Sequence, residues 1–284
     1  MLAAGLLGIA GSRGETPLND DSASTSSEMK PLWEAGVFGG IARLPHYRGS
    51  DEYTVYAVPL PFLIYRGEVV QANRDGVRGI FYKGERVETD MSFSGNPPVG
   101  SDNSAREGMP SLDPLVEAGP AVKYYFTQWR AEPSLYLQAA VRGVCSVDVN
   151  SIGMSYEGIR GGLNLILSDY RPIPGGSWLF GLNGGVEFTD AGYNAFFYNV
   201  TEEQARPDRH AYDSDGGYAG FLLSGYALKK FNPRFSWGFY ARWDNISGAV
   251  YEDSPLVRER NNVVFGTALI WTIQQSKRFV QARE

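Results

Sequence analysis

Apolar and polar residues alternate one by one along much of the chain from Trp33 onward. In the segment FSWGFYARWDN (235–245), every second residue from Phe235 to Trp243 is apolar, and the residues between them are small or polar. The segments SLYLQAAVRGVCSV (134–147) and NVVFGTALIWTI (262–273) show the same alternation. A period of two residues predicts β-strands with one apolar face and one polar face.

Strands of this kind account for most of the chain, and their connections alternate between short and long. About twelve strands are predicted, or ten if the two short segments within 67–83 do not cross the sheet. The predicted strands are 33–43, 53–66, 67–73, 76–83, 85–95, 114–126, 129–144, 154–170, 177–189, 217–230, 234–246 and 261–273. The predicted long loops are 44–52, 96–113, 190–216 and 247–260.

The direction of the apolar face decides between two folds. A soluble sandwich or lipocalin buries this face, whereas a transmembrane barrel turns it towards lipid. Several strands exceed the roughly ten residues that a tilted crossing of a bilayer requires. The opposite face is small or charged, as a polar lumen requires. We therefore predict an all-β fold, a transmembrane antiparallel up-and-down β-barrel with long extracellular loops and short periplasmic turns.

Five of the six tryptophans support this topology. With the N-terminus in the periplasm, all five fall at the periplasmic membrane interface, where aromatic residues form girdles. The predicted aromatic girdle consists of Trp33, Trp129, Trp178, Trp237 and Trp271.

The composition excludes some classes of function. The formal net charge of −6, without a basic patch, argues against a nucleic-acid partner. The single cysteine, Cys145, excludes an internal disulfide and a thiolate zinc site. Residues 1–11 (MLAAGLLGIAG) predict the remnant of a signal peptide. The further predicted segments are a flexible periplasmic tail at 12–31, the outer-membrane barrel at 32–274 and a C-terminal extension at 275–284.

Two groups of residues invite a catalytic or metal-binding interpretation. His46, Ser50 and Asp51 hold the residue types of a hydrolase, but Gly49-Ser50-Asp51 is typical of a turn, and an extended loop does not make the three side chains converge. His46 and His210 are the only histidines, and solvated loop histidines are far commoner than metal ligands, even with acidic residues nearby. We expect no catalytic residue, no metal and no cofactor.

Four motifs follow one another in the order of a known family. They are HYRGSDEY with PLPFLIYRG (46–53 and 59–67), VEAGPAV (116–122), FFYNVTEEQA (196–205) and ISGAVYEDSPLVRERNN (246–262). Through them, residues 33–273 resemble the MipA/OmpV family. The resemblance implies a cofactor-free β-barrel in the outer membrane of a Gram-negative bacterium. It also implies a scaffold that joins a lytic transglycosylase to a murein synthase, although other members are linked to adhesion or antibiotic response.

The C-terminus departs from this family's pattern. Its members typically end on an aromatic residue of the last strand, which the assembly machinery recognises. In this chain the last strand is predicted to end near Ile273, QQSKRFVQARE follows, and Phe279 is not terminal. The departure bears on how efficiently the barrel assembles rather than on its fold.

Three of the motifs fall in loops that barrel closure makes neighbours, because the first strand then pairs with the last. The loops are expected to pack into a cap over the lumen, which either binds a ligand or holds the seam closed. Thr201 and Gln204 form a capping box that predicts a short helix ended by Pro207. The candidate cap residues are His46, Tyr47, Gly49, Ser50, Asp51, Tyr198, Thr201, Gln204, Asp253, Ser254 and Pro255.

The leading hypothesis is a non-catalytic scaffold or interaction protein for envelope and murein machinery. Its expected partners are outer-membrane lipid and murein hydrolase or synthase proteins on the periplasmic side, and the sequence indicates no oligomeric state. An alternative is a barrel that binds or admits small cationic solutes through an acidic extracellular mouth formed by Asp51, Glu52, Glu252 and Asp253. A membrane-embedded hydrolase is less favoured.

Pro59 and Pro61 lie at the same parity within one predicted strand. Proline lacks the N–H that a ladder needs, and residues of one parity direct their N–H groups to the same neighbour. The two prolines therefore remove donors from one edge of the strand only. We predict a bulge or a locally unpaired edge at 58–62.

Overall fold

Antiparallel strands make up nearly all of the regular structure in the computed structural model. It describes residues 29–66, 71–73, 76–78, 82–100, 102–127, 133–148, 151, 153–173 and 176–281. Residues 1–28, with the predicted signal remnant and most of the predicted tail, lie outside the described residues, as does Trp129. No helix in the described ranges combines the length and apolarity needed to cross a membrane.

Ten long strands and five short ones are described. The long strands are β2 (Trp33–Pro45), β3 (Tyr53–Arg66), β7 (Val87–Asn96), β8 (Leu115–Tyr125), β9 (Ser134–Asp148), β10 (Gly153–Tyr170), β11 (Trp178–Thr189), β12 (Gly217–Asn232), β13 (Phe235–Asn245) and β14 (Asn261–Gln275). The short strands are β1 (Met29–Pro31), β4 (Gln71–Asn73), β5 (Gly76–Arg78), β6 (Tyr82–Lys83) and β15 (Phe279–Gln281). Helix α1 (Ala191–Tyr198) and a 3-10 helix (Ser104–Arg106) lie in loops.

The strands form an up-and-down meander, which confirms the predicted all-β antiparallel architecture. Thirteen strands form one sheet in the order β5-β4-β3-β2-β14-β13-β12-β11-β10-β9-β8-β7-β6. The first long strand pairs with the last, with Arg43 opposite Phe265 and Glu34 opposite Gln275. The sheet is not closed by hydrogen bonds, since no ladder joins β5 to β6 within the described ranges. Of the predicted strands at 67–73 and 76–83, the structure describes β4, β5 and β6, and residues 67–70 and 79–81 lie outside the described residues.

The two faces of the sheet are reversed relative to those of a soluble protein. Large apolar side chains are exposed on the outer face, including Ile41, Leu182 and Phe265 at 54%, 58% and 58%. Charged side chains are buried on the inner face, where Arg160 and Asp244 are each 2% exposed. Both faces come from the same period-two alternation along the strands.

Three connections at one end of the sheet, 97–114, 190–216 and 246–260, are long, as predicted, whereas the connection from β9 to β10 at the same end is short. Residues 46–52, 97–114, 190–216 and 246–260 leave the strands at one end, which we call the loop end. The opposite end, which we call the turn end, carries the connections from β8 to β9, from β10 to β11 and from β12 to β13. The described girdle tryptophans all lie towards the turn end: Trp33, Trp178, Trp237 and Trp271.

Apolar and charged side chains fill the inner face towards the turn end. A cluster of six buried residues joins β2, β3, β11, β12 and β14: Phe38, Phe62, Leu179, Leu228, Ala268 and Ile270. On the other side, Lys123 lies 2.6 Å from Asp90 Oδ2 and 3.5 Å from Glu88 Oε1. The described interior is therefore packed with side chains at this level.

The strand with two prolines is paired without interruption on one flank. Its ladder with β2 runs from Pro45 opposite Tyr53 to Trp33 opposite Tyr65 without a register shift. On the other flank, the described ladder is limited to the contacts of Tyr65 and Arg66 with β4. Among the described residues, 58–62 therefore pair on one flank only, and the ladder on that flank contains no bulge.

The helix in the loop at 190–216 lies upstream of the predicted position. Helix α1 follows Asp190, whose side chain accepts a hydrogen bond from the Tyr193 backbone N–H at 2.9 Å. The predicted helix after Thr201 was wrong, because these residues form a turn. The Thr201 backbone N–H donates to Gln204 Oε1 at 3.1 Å, so the capping contact exists without a helix.

The described part of the predicted tail and C-terminal extension is ordered as a small two-stranded sheet. Strand β1 pairs with β15, with Lys30 opposite Val280. Strand β14 runs to Gln275, one residue beyond the predicted end of the barrel, and the Ser276 backbone N–H donates to the Trp33 carbonyl at 2.8 Å. The small sheet thus lies next to the turn end.

Candidate functional site

The four long loops pack on one another over the loop end and form what we call the cap, residues 46–52, 97–114, 190–216 and 246–260. Its interior is a single apolar cluster that also includes residues from the adjoining strand ends. The buried members of this cluster are Tyr47, Val99, Ala105, Met109, Leu112, Leu115, Val144, Tyr193, Phe197, Tyr198, Val200, Ala219, Ile246, Ala249, Tyr251 and Leu256.

Tyrosines join the three sequence motifs inside the cap. The Tyr198 hydroxyl donates to the Arg48 carbonyl at 2.8 Å, and the Tyr47 hydroxyl donates to the Leu256 carbonyl at 2.8 Å. The Ser254 hydroxyl donates to the Tyr198 carbonyl at 2.8 Å. Burial raises the pKa of Tyr47 and of Tyr198, so both phenols remain protonated donors at neutral pH.

Gly49 has a backbone conformation that favours glycine, and its backbone is hydrogen-bonded to two other segments. Its φ of 96° lies in the region that glycine adopts without strain. Its N–H donates to Asn262 Oδ1 at 2.6 Å, and its carbonyl accepts from the Arg258 N–H at 2.7 Å. The Asn262 side chain also donates to the Ser50 carbonyl at 2.7 Å, which ties the first loop to the start of the last long strand.

His46 and Ser50 do not form a nucleophile–base pair. The two ring nitrogens of His46 lie 2.9 Å from Thr54 Oγ1 and 2.9 Å from Asn103 Nδ2. Ser50 is fully buried, and its hydroxyl oxygen accepts from Asn103 Nδ2 at 3.3 Å and from the Glu52 backbone N–H at 3.1 Å. The hydrogen bonds of both residues therefore belong to a structural network.

Glu52 extends this network to the 3-10 helix. The Ser104 hydroxyl donates to Glu52 Oε1, as does the Ser104 backbone N–H at 2.7 Å. These two hydrogen bonds hold the pKa of Glu52 below its usual value. We call the contacts of His46, Ser50 and Glu52 with Asn103 and Ser104 the clasp.

The remaining candidate residues lie at the periphery of the cap. Asp51, Thr201 and Asp253 are exposed, whereas Gln204 and Pro255 are half-buried. His210 is exposed and lies edge-on to Tyr212, with ring centroids 6.4 Å apart. Across the described ranges, no group of three or more His, Cys, Asp or Glu side chains has the spacing of a metal site.

A buried ion-pair network lies beneath the cap, on the inner face of the strands. Glu187 is shared by Arg48, Arg160 and Arg242, the last at 4.0 Å. Glu117 and Asp244 complete the network. Their pairs are Arg142–Glu117 at 3.4 Å, Arg160–Glu117 at 2.9 Å, Arg48–Asp244 at 3.2 Å and Arg242–Asp244.

This network was missed in the sequence, although a signal for it was present. Arg142, Arg242 and Asp244 occupy the polar parity of their strands, opposite the apolar face. Inward-facing charges from different strands converge once a sheet curves on itself. The alternation therefore identified the inner face but not which of its charges would meet.

Comparisons with known proteins agree with the motifs. The family model described as MltA-interacting protein MipA matches residues 37–273. No curated protein matches the chain. Among solved structures, the Ralstonia pickettii toluene transporter TbuX is 11% identical with a TM-score of 0.26, covering 87% of this chain and 70% of that one. The Pseudomonas putida toluene transporter TodX is 12% identical with a TM-score of 0.24, covering 86% and 68%. The chain belongs to the MipA family, whose description is MltA-interacting protein.

Proposed function

We propose that this protein is a non-catalytic β-barrel of the Gram-negative outer membrane that serves as a scaffold or interaction protein for envelope and murein machinery. The observation that carries the proposal is the combination of an exposed apolar outer face with packed side-chain clusters beneath the cap and towards the turn end in the described part of the interior. An apolar outer face suits lipid, and packed clusters at both levels of the interior favour the surface outside the membrane as the part that acts.

The membrane location can be tested with a substitution for which a membrane barrel and a soluble protein predict opposite results. Leu182 is 58% exposed in the middle of β11, so Leu182→Arg changes only the outer face. In a membrane barrel, arginine near the bilayer midplane costs about 2–4 kcal/mol, and less protein reaches the outer membrane. In a soluble protein the same change is harmless. Glu203→Arg, in the exposed turn of the cap, is the control. Equal amounts of both variants in the outer-membrane fraction would contradict the proposal.

The absence of catalysis is supported by the hydrogen bonds of the clasp. A nucleophile needs a base within hydrogen-bonding reach and access to substrate. His46 instead contacts Thr54 and Asn103, and Ser50 is fully buried. We expect Ser50→Ala to leave every envelope phenotype of the protein intact wherever the variant folds. Loss of the phenotype with normal outer-membrane amounts would favour the hydrolase alternative.

Passage of cationic solutes is less well supported than the scaffold. The Glu52 carboxylate accepts from Ser104, and Glu252 lies 2.6 Å from Arg260 Nε. Beneath the cap, the entering solute would meet the arginine-rich ion-pair network. We expect no stable open channel in planar bilayers. A steady, cation-selective conductance would overturn the scaffold proposal in favour of the solute barrel.

The partner surface is proposed to lie at the turn end, which faces the periplasm in the predicted orientation. The family description names an interaction with MltA, and this surface carries the short turns and the β1–β15 sheet. A photo-cross-linking amino acid at Ile173, which is 68% exposed in a turn, is expected to capture a murein hydrolase or synthase in intact envelopes. The matched position is Glu203 in the cap. Capture from the cap and not from the turn would contradict this placement.

A further inference from the structure

A lysine lies between two tryptophans on the outer face of the sheet, near the turn end. Lys229 of β12 is opposite Trp178 of β11 on one side and opposite Trp237 of β13 on the other. Residues that are opposite each other in antiparallel ladders share a face, and both tryptophans are 37% exposed on the outer one. We call these three residues the tryptophan–lysine row. It lies at the level of the girdle, and neither the cap nor the proposed partner surface on the turns uses it.

The ammonium group of Lys229 is held in place by uncharged partners. Among the described residues these are the Ser177 hydroxyl, to which it donates at 2.5 Å, and the Trp178 ring, whose centroid is 5.3 Å away. An ammonium group has three N–H donors, so donors remain for a ligand after the contact with Ser177. The lysine is therefore positioned before any ligand arrives.

The turns next to the row are basic. The connections from β10 to β11, from β12 to β13 and from β14 to β15 contain no aspartate or glutamate, and their basic residues are Arg171, Arg234, Lys277 and Arg278. Asp169, half-buried at the end of β10, is an acidic residue close in sequence to the first of these turns. The cap loops at the opposite end contain fourteen acidic residues and six arginines. A chain with a formal net charge of −6 thus has a basic rim beside the row.

Towards the middle of the sheet, the outer face beside the row is apolar. Leu182 lies at the same parity as Trp178 along β11, and Phe239 at the same parity as Trp237 along β13. The two side chains are 58% and 39% exposed. A ligand that reaches the lysine therefore meets a basic rim on one side and an apolar surface on the other. A lipid with an anionic headgroup has the complementary pattern.

We propose that the tryptophan–lysine row binds the phosphate group of an anionic phospholipid whose acyl chains lie along the outer face. The inference rests on the proposed membrane location and adds a lipid class to it. The ammonium group donates to phosphate oxygens, and tryptophan rings are favoured at the level of lipid headgroups. The basic turns favour a headgroup with net negative charge over a zwitterionic one, because they repel the ammonium part of a zwitterion.

The test is quenching of tryptophan fluorescence by brominated lipids in vesicles that contain the full chain. The vesicles hold equal amounts of phosphatidylglycerol and phosphatidylcholine, with bromine on the first lipid in one preparation and on the second in the other. We expect brominated phosphatidylglycerol to quench more strongly, because it is enriched at the row. Equal quenching by the two lipids would overturn the inference and leave the membrane location standing. Absence of quenching by either lipid would contradict the membrane location itself.

A second arm separates the lipid from a free anion. Sodium phosphate replaces sodium chloride in the buffer at the same ionic strength. We expect the preference for phosphatidylglycerol to persist, since the acyl chains contribute to binding at the row. Loss of the preference in phosphate buffer would overturn the lipid as the occupant.

Variants assign the preference to the row. One basic residue near an anionic surface changes affinity about fivefold, so Lys229→Gln is expected to lower the relative affinity for phosphatidylglycerol by about this factor, whereas Lys229→Arg retains it. Ser177→Asp places a carboxylate beside the lysine and should have the effect of Lys229→Gln if that variant does not fold. Lys277→Gln removes an exposed lysine outside the row and should have the smaller effect. An equal loss in Lys277→Gln, or wild-type preference in Ser177→Asp and in any folded Lys229→Gln, would refute the assignment.

Discussion

Tyr198 connects all three motif loops, so its substitution tests whether the cap opens as one unit. Its hydroxyl donates to Arg48, its carbonyl accepts from Ser254, and its ring stacks on Tyr251 with centroids 3.9 Å apart and planes 7° apart. Tyr198→Phe keeps the ring and removes the hydroxyl, which donates to the part-buried Arg48 carbonyl and also contacts the Tyr251 hydroxyl. Leaving such an acceptor without a partner costs about 1–2 kcal/mol.

Hydrogen exchange of backbone amides measures the free energy of cap opening in the loops that Tyr198 connects. A loss of about 1–2 kcal/mol raises the equilibrium constant for cap opening about five- to thirty-fold. Amide exchange in peptides from 46–52 and 246–260 should accelerate by this factor. Exchange in β9, which contributes no backbone to the cap loops, should not change. Tyr198→Ala also removes a buried ring, a loss of about 3–5 kcal/mol, and should expose the same peptides almost completely.

Tyr156→Phe is the matched control, because this tyrosine is 65% exposed on the outer face of β10. It removes the same hydroxyl without touching the cap, and exchange should remain at the wild-type rate. If Tyr198→Phe left 46–52 and 246–260 unchanged, the tyrosine contacts would not hold the loops together. If exchange rose equally in β9, the cap would not be a separate cooperative unit.

Three further predictions concern the strands and the clasp. Glu187→Gln removes the carboxylate that Arg48, Arg160 and Arg242 share, so the free energy of unfolding should fall by about 3–5 kcal/mol. The midpoint of heat denaturation on semi-native gels should fall accordingly, while Glu203→Gln leaves it unchanged. Gly119→Ala should prevent folding, because the added Cβ would collide with a backbone oxygen of β9. Gly39→Ala places its Cβ in open space and should fold normally. Equal yields of folded protein from the two variants would refute the packing argument. The lowered pKa of Glu52 means that the clasp is stabilised above the usual glutamate value near 4.5 and weakens as the pH falls through the lowered value. Exchange in 97–114, corrected for its intrinsic pH dependence, should therefore accelerate under acid conditions in the wild type, and an equal acid response in Glu52→Gln would refute this cause.

The strands were predictable from the sequence because their signal is repeated. Period-two alternation runs through each long strand, and a meander needs no information beyond the order of strands along the chain. The pairing of the first long strand with the last followed from the prediction of closure. The segment 67–83 was less predictable, since the strands described there, β4, β5 and β6, have two or three residues each, and so few residues contain too little alternation to define a face or a length.

The cap was predictable in its location but not in its detail. The loops that carry the motifs were expected to meet, whereas the partners of Arg48 and Glu52 lie in loops far away in the sequence. The error at 201–207 has a local cause. A capping box satisfies the first N–H groups of a helix. In this loop, however, the helix lies upstream, where α1 begins after Asp190. The chain after α1 turns back so that Val200 pairs with Tyr212, which leaves no helix at 201–207.

The clasp and the two prolines lie along the same edge of β3, the edge that faces away from β2. Pro59 and Pro61 lie in a strand whose ladder with β2 is intact, so their missing N–H groups affect only the other edge, where pairing is described at Tyr65 and Arg66 alone.

At the loop end of that same edge, side chains replace the ladder. The Tyr56 hydroxyl donates to the carbonyl of Pro98, which follows β7, and the contacts of Glu52 and His46 with the 3-10 helix reach the same segment. Since β7 lies on the far side of the opening in the sheet, these contacts connect its two margins. Among the described residues, the loop that carries HYRGSDEY and the strand with the two prolines thus contact the segment after β7 through side chains rather than through a backbone ladder.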